Sequence, residues 1–266
     1  MKIKILVENT AFQTKVSAEH GLSILIENEG RRILFDTGQS DAIIKNALVY
    51  ELNPDSIESI VISHGHYDHT GGLLPLLKTN QHAKIYAKKG FDLYKTKQGG
   101  DYIGIPDIDL IPQERICTID KPTEIIPNVF IMPNIEITDS EETHFAQFRI
   151  NEGENIIDDK FDDELYLAII KDNELSIISG CAHRGITNII RSAQKEFNLP
   201  IRLILGGMHT SKEPDENVLK LAFSINKFDI KDIYVCHCTG IEKYAILKQH
   251  CHANVHYAST GNNIFL

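Results

Sequence analysis

Six consecutive residues, His64-Gly65-His66-Tyr67-Asp68-His69, constrain this chain more tightly than any other stretch. They put three imidazoles and a carboxylate into one short turn. The apolar run Ser59-Ile60-Val61-Ile62-Ser63 precedes it, and Thr70-Gly71-Gly72 follows. The run is short and β-branched, as in a buried strand, and Leu73–Leu77 beyond the glycines opens a helix. A fold that accepts this segment must gather polar ligands at the end of a strand. Imidazole and carboxylate are donors that Zn²⁺, Mn²⁺ and Fe²⁺ all accept. Four such groups in six residues cannot converge on one ion, so the spacing predicts two adjacent ions. A solvated, His-rich loop is the bland alternative. Imidazoles at i, i+2 and i+5 around an aspartate are hard to produce by chance, which favours metal.

Composition narrows the partners. At 266 residues and 42% hydrophobic content the chain can bury a sizeable core, and its 24% charged fraction is that of an ordinary globular protein. The formal net charge is −10, and no Lys/Arg run exceeds the pairs Arg31-Arg32 and Lys88-Lys89. Phosphate backbones are gripped by clustered cations, so nucleic acid is not the expected partner. No window approaches the ~18–20 apolar residues of a membrane span. Met1–Ile5 alternates like a first strand and lacks the cleavage region of a signal peptide. Five cysteines (Cys117, Cys181, Cys236, Cys238, Cys251) form an odd set without a disulfide framework, which predicts a reducing cytoplasm. A small-molecule substrate is expected, and a homo-oligomer is compatible with this composition.

Along the chain, strands are predicted at Lys2–Val7, Leu22–Glu27 and Arg31–Phe35, the last two joined by the hairpin turn Asn28-Glu29-Gly30. A helix follows over Ser40–Tyr50 with Ser40 as N-cap, then strand Ile60–Ser63, helix Gly72–Lys78 and strand Lys84–Ala87. The second half repeats the pattern. Leu165–Lys171 and Glu174–Ser179 form a hairpin, followed by helix Ile186–Phe197, strand Arg202–Leu205, helix Glu216–Asn226, strand Asp232–Cys236, helix Ile241–Gln249 and strand Asn254–Ala258. Strands first and alternating helices after, in both halves, predict two sheets packed face to face with helices outside. No linker separates the halves, so one domain over residues 1–266 with an internal pseudo-repeat is expected. Phe91–Asp163, rich in Gly, Pro and acids, is expected to be an insertion or lid.

The remaining ligands should come from other strand ends. Ser176–Ser179 runs into Gly180-Cys181-Ala182-His183. Leu203–Leu205 runs into Gly206-Gly207-Met208-His209, and Ile233–Val235 runs into Cys236-His237-Cys238-Thr239-Gly240. Each histidine taken singly could be a cap or a satisfied core residue; recurrence at three successive strand ends is the argument. His20, His82, His250, His252 and His256 lie in polar or surface-like contexts and are read as outside the site. His144, after Glu141-Glu142, is left open.

The His64–His69 signature, with Phe35-Asp36-Thr37-Gly38 upstream, resembles the metallo-β-lactamase superfamily along essentially the whole chain. The segments around Cys181-Ala182-His183, Gly207-Met208-His209 and Cys236–Gly240 are similar to one branch, the "metal-dependent hydrolases of the β-lactamase superfamily II". That branch includes proteins like an archaeal methanopterin-pathway dihydropterin synthase. The resemblance implies an α/β fold, a four-layer αββα sandwich with metals at one sheet edge. It implies two divalent ions, zinc first and manganese or iron as alternatives. His64 and His66 correspond to ligands of one, Asp68 and His69 to ligands of the other, and Asp36 supports the loop. Most relatives carry a bridging Asp where this chain has Cys181, and a third-motif histidine has no counterpart near Asp162–Leu167. His183 is therefore expected to replace the missing imidazole, with His209 as the late-strand ligand of the second ion. Cys181 and His237 remain candidates to face the substrate, and a Cys181 thiolate would also suit zinc.

In the hydrolase that this implies, the ions lower the pKa of a water they share, giving a hydroxide nucleophile. Asp68 orients metal and nucleophile, and His237 protonates the leaving group or holds an anion. The bond would be an ester, phosphodiester or similar. A synthase transferring a pterin or ribosyl-type group is the alternative, and a non-catalytic metal or ligand sensor is the third. The oxygen-reducing diiron branch, with Glu at the position of His66, and the RNA-processing branches are disfavoured; mononuclear iron dioxygenases share these ligand types.

Overall fold

A computed structural model describes residues 1–152 and 155–266; Gly153 and Glu154, part of the expected insertion, lie outside the described residues. The chain divides into two compact units. Unit 1 comprises Met1–Asp120, Ala146–Asp163 and Ser259–Leu266, and unit 2 comprises Lys121–Phe145 and Glu164–Ala258.

In unit 1 a seven-stranded sheet runs in the order Asn263–Phe265, Lys2–Val7, Ser23–Asn28, Arg31–Phe35, Ser59–Val61, Lys84–Ala87, Ile116–Thr118. The first three pairings are antiparallel and the rest parallel. Register sets Leu25, Leu34, Ile60 and Ile85 side by side across four strands. This apolar row joins one core cluster with Ala42, Ile43 and Ala47 of helix Ala42–Val49 and Leu73 and Leu76 of helix Leu73–Thr79. Consecutive residues Ile24, Leu25 and Ile26 are all buried, so both faces of the strand are covered. That explains runs that are apolar throughout rather than alternating.

Unit 2 holds a second seven-stranded sheet, ordered Asn254–Tyr257, Ile230–Val235, Ile201–Gly206, Glu174–Ser179, Tyr166–Lys171, Val129–Met132, Thr123–Ile126. Here the first four strands are parallel and the remainder antiparallel. Ala168, Ile177, Ile204, Ile233 and Val255 form the matching row. They share a cluster with Ile189, Ile190, Val218, Ala222 and Leu247 from helices Ile186–Phe197, Asp215–Ile225 and Ile241–His250.

Most expected elements form within two residues of their predicted ends. The first helix begins after Asp41 rather than Ser40, although Ser40 Oγ still accepts the Ala42 N–H at 3.1 Å. The stretch 91–163 departs most from expectation. It supplies strand Ile116–Thr118 to one large sheet and Thr123–Ile126 and Val129–Met132 to the other. Lys95–Lys97, Phe148–Glu152 and Asn155–Asp158 build a third, antiparallel sheet within unit 1. Strands of three to five residues are too short for a period of two to stand out, which is why the stretch reads as structureless.

Candidate metal centre

In unit 1 the histidine loop is built from behind by one buried carboxylate. Asp36 follows strand Arg31–Phe35 with φ +59, in the left-handed region that Asp and Asn tolerate better than most residues. Its Oδ1 accepts the Ser63 N–H at 2.7 Å, and its Oδ2 accepts the Ser63 hydroxyl and His69 Nδ1, each at 2.7 Å. A carboxylate only accepts, so Ser63 gives its one hydroxyl proton to Asp36. The contact of 2.9 Å between Ser63 Oγ and His64 Nδ1 must then be donated by the imidazole. Hydrogen bonding thus places a proton on Nδ1 of both His64 and His69, so that the lone pair of either ring, when neutral, lies on Nε2. Burial, reinforced by neighbouring His69 and His66, holds His64 well below the ordinary imidazole range, so it is neutral at pH 7.

His64 Nε2 and His66 Nδ1 stand 3.1 Å apart. Two nitrogens bound at 2.0–2.1 Å to one tetrahedral ion are separated by about 3.3 Å. Asp68 Oδ2 lies 3.9 Å from His69 Nε2 and 3.1 Å from His20 Nε2. Half-exposed His20, read from sequence as outside the site, therefore touches one of its carboxylates; it is separated from Asp68 by 48 positions, and no local signal links them.

The stretch expected as an insertion or lid braces this loop. A Cβ on Gly65 would fall 1.7 Å from the Phe91 carbonyl oxygen, so only glycine fits there. Tyr67 N–H donates to the Ile103 carbonyl at 3.0 Å. Gly65 N–H donates to Asp163 Oδ2 at 2.8 Å, while Asp163 Oδ1 and Asp159 Oδ2 accept from Lys95 Nζ at 2.9 and 2.7 Å. All three charged groups are at most 3% exposed. Burial opposes the Lys95 charge, but Asp163 and Asp159 outweigh it and raise its pKa, keeping it an ammonium. Phe161, fully buried, sets its ring 5.2 Å from His66 and 6.0 Å from His64. The acids near Asp162, where a histidine was sought, include a group that positions the loop.

In unit 2 three loops interlock at the carboxyl ends of parallel strands. Ala182, His209 and His237 all take positive φ, so each strand ends in a left-handed turn. Ligand atoms of Cys181, His183 and His209 lie within 4.8 Å of one another, as do those of Cys181, His237 and Cys238. Both Glu164 oxygens are used: one accepts the His183 N–H at 2.7 Å and the other the Arg184 N–H at 2.8 Å. Cys238 Sγ accepts the His209 N–H at 3.3 Å, and a Cβ on Gly207 would lie 2.4 Å from that sulfur. Burial raises the Cys238 pKa, but hydrogen bonds with Cys181 and His209 and the nearby His237 outweigh it and hold the thiol well below its usual range. Cys238 was not among the ligands expected from sequence, although its place one residue after His237 offered the clue. His144, left open by the sequence, packs its ring 5.0 Å from His209.

The predicted residues thus fall in two sets: Asp36, His64, His66, Asp68 and His69 in unit 1, and Cys181, His183, His209 and His237 in unit 2. Neutral imidazoles with assigned lone pairs, a carboxylate and thiols are donors that suit divalent, zinc-like ions.

A family model described as the metallo-β-lactamase superfamily matches residues 16–150. The chain is 29% identical over 263 residues to the 7,8-dihydropterin-6-methyl-4-(β-D-ribofuranosyl)-aminobenzene-5'-phosphate synthase of Methanocaldococcus jannaschii, covering 91% of this chain and 88% of that protein. It is 31% identical over 255 residues to the uncharacterized protein MJ0448 of the same archaeon, covering 93% and 94%. Among solved structures, Tm1679, a metal-dependent hydrolase of the β-lactamase superfamily, matches with a TM-score of 0.88 at 29% identity, covering 100% of this chain and 99% of that one.

Proposed function

The chain belongs to the metallo-β-lactamase superfamily and has its fold, and from that premise we propose that it is a metal-dependent hydrolase of a small-molecule ester, phosphodiester or similar bond. One observation carries the reading: Asp36 and Ser63 hold His64 and His69 by Nδ1, which turns Nε2 of both rings toward the other donors of the loop, His66 and Asp68. His64, His66, Asp68 and His69 would hold divalent metal in unit 1, and Cys181, His183 and His209 in unit 2, with zinc the first choice and two ions the expected number. Bound ions supply Lewis acidity and make water acidic enough to attack near neutral pH. Asp68 accepts the proton released by the attacking water, and His20, 3.1 Å away and half-exposed, passes it to solvent. His237 donates a proton to the departing alkoxide as the ester C–O or P–O bond breaks. Small substrates fit the net charge of −10 better than a nucleic acid does.

Zinc-loaded protein is expected to release nitrophenolate from nitrophenyl esters and phosphodiesters, and His66→Ala and Asp68→Ala to abolish that release. Full metal content with intact activity in both variants would overturn the proposal.

A second reading, transfer of a pterin or ribosyl-type group, is supported by the synthase relative. An acceptor would then replace a pyrophosphate leaving group. Incubation with dihydropterin pyrophosphate, with and without an aminobenzene acceptor, separates the two: only the alcohol forms in a hydrolase, and the coupled product forms in a synthase.

Cys181 and Cys238 provide a test confined to unit 2. Cobalt-substituted protein is expected to show a thiolate-to-cobalt absorption band that the double variant Cys181→Ser/Cys238→Ser loses, because the two sulfurs lie in one donor cluster with His237. An unchanged band in that variant assigns the sulfur ligand to another cysteine.

A further inference from the structure

The reaction proposed above draws on Cys181 and gives Cys238 no part, although the two sulfurs are neighbours in unit 2. They are separated by 57 positions, and each follows the end of a parallel strand, Glu174–Ser179 and Ile230–Val235. Their Sγ atoms lie within 4.8 Å of one another. The Cys238 thiol donates to the Cys181 carbonyl oxygen at 3.6 Å. None of the five cysteines of the chain is in a disulfide.

Backbone contacts hold the two loops together without using the sulfurs. Gly207 N–H donates to the Gly180 carbonyl at 2.8 Å, beside Cys181, and Ser211 N–H donates to the Cys238 carbonyl at 3.0 Å. Thr239 adds two more: its Oγ1 accepts the Met208 N–H and its carbonyl accepts the Thr210 hydroxyl, each at 3.0 Å. Glycine at position 207 permits the approach. A Cβ there would lie 2.4 Å from Cys238 Sγ and 3.4 Å from Cys181 Cα, so a larger residue would drive the loops apart. With the loops fixed, side-chain rotation is what separates this spacing from the ~2.05 Å of an S–S bond. Cys236, two residues before Cys238, belongs to none of the donor groups among the described residues. Cys181 is 3% and Cys238 7% exposed, which excludes bulky oxidants and favours a small peroxide.

We propose that Cys181 and Cys238 are a reversible redox pair: a hydroperoxide joins them in a disulfide, which withdraws both sulfurs from metal, and a small dithiol restores them. With hydrogen peroxide, one sulfur attacks the O–O bond, giving a sulfenic acid and releasing water. The other sulfur then displaces the sulfenic oxygen, which leaves as a second water with the thiol proton. Two thiols and one peroxide yield one disulfide and two waters, and two electrons pass from sulfur to oxygen. Thiolate is the form that ligates metal, so the disulfide removes Cys181 as a donor. Loss of metal rests on the metal-binding reading above; formation of the disulfide does not.

Full-length protein, metal-free and cobalt-loaded, is treated with hydrogen peroxide, alkylated and digested with trypsin. Mass spectrometry is expected to find Asp172–Arg184 linked to Asp232–Lys243, with loss of the link after dithiothreitol and in Cys238→Ser. The second peptide also carries Cys236, so that variant identifies the partner; if it does not fold, fragmentation of the wild-type linked peptides places the bond. The thiolate-to-cobalt band is expected to fade as the link grows, and to return after reduction, removal of the reductant and reloading. Sulfinic or sulfonic acid on either cysteine without a link, a link through Cys236, or an unchanged band in fully linked protein overturns the proposal. A link in protein that shows no cobalt band when reduced removes the metal reading and leaves the disulfide; a band with no link under peroxide does the reverse.

Discussion

An Asp36→Ala variant will bind zinc about ten- to a hundredfold more weakly than wild type and lose roughly 2–4 kcal/mol of stability. Both effects come from the same three contacts. The Ser63 N–H, the Ser63 hydroxyl and His69 Nδ1 all lose their acceptor in a region with no exposure to water. A buried N–H left without a partner costs about 1–3 kcal/mol. The metal effect is indirect: Asp36 fixes which nitrogen of His69 carries the proton, and through Ser63 it does the same for His64. Asp36→Asn separates the two effects. Asparagine tolerates φ +59, so the backbone is kept, but its amide nitrogen cannot accept. It should retain more stability than alanine while still losing metal affinity. Melting of the metal-free protein and zinc titration against a chromophoric chelator read the two quantities apart. Zinc affinity within threefold of wild type in both variants would show that Asp36 does not set the ligand tautomers.

Lys95→Met should be as damaging through a different route. It leaves the buried Asp159 and Asp163 carboxylates facing one another without the ammonium that joins them. Removing one partner from a buried ionic group costs about 3–5 kcal/mol. At ~2–4 °C per kcal/mol for a chain of this size, melting should fall by roughly 10 °C. Lys95→Met/Asp159→Asn should recover part of the loss, because Asp163 then remains the lone carboxylate and still takes the Gly65 N–H. Weaker zinc binding is expected in the single variant, since Asp163 positions the loop that carries His64 and His66. A Lys95→Met protein that melts within about 2 °C of wild type would show that the ion triad contributes little.

These residues mark the boundary of what a sequence discloses. The His64–His69 loop is legible because its donors and the strand and helix that frame it are contiguous. His183, His209 and His237 are legible because three strands end alike. Lys95 and Asp163 are separated by 68 positions, and each looks like an ordinary surface charge until the fold buries both. Phe161 has no periodic partner, and the short strands around it carry too few residues for an alternating pattern. Cys238 stood beside a recognised histidine, yet its sulfur chemistry depends on His209 N–H from a loop 29 positions away. His20 and His144 were unreadable for the same reason: their partners, Asp68 and His209, are distant in the chain.

By itself, the sequence determined the order of elements, the histidine loop and its set of metal-donor side chains, because all three depend on neighbours in the chain. Tertiary structure alone decided that Nδ1 of His64 and of His69 bears a proton, and that 91–163, the stretch expected as an insertion or lid, supplies strands and braces the histidine loop. It also decided that a cavity lined by Glu142, His144 and Glu213 lies against helix Asp215–Ile225. Proton positions, buried charge and concave surface all depend on which distant groups share a place without water, and spacing along a chain does not encode that.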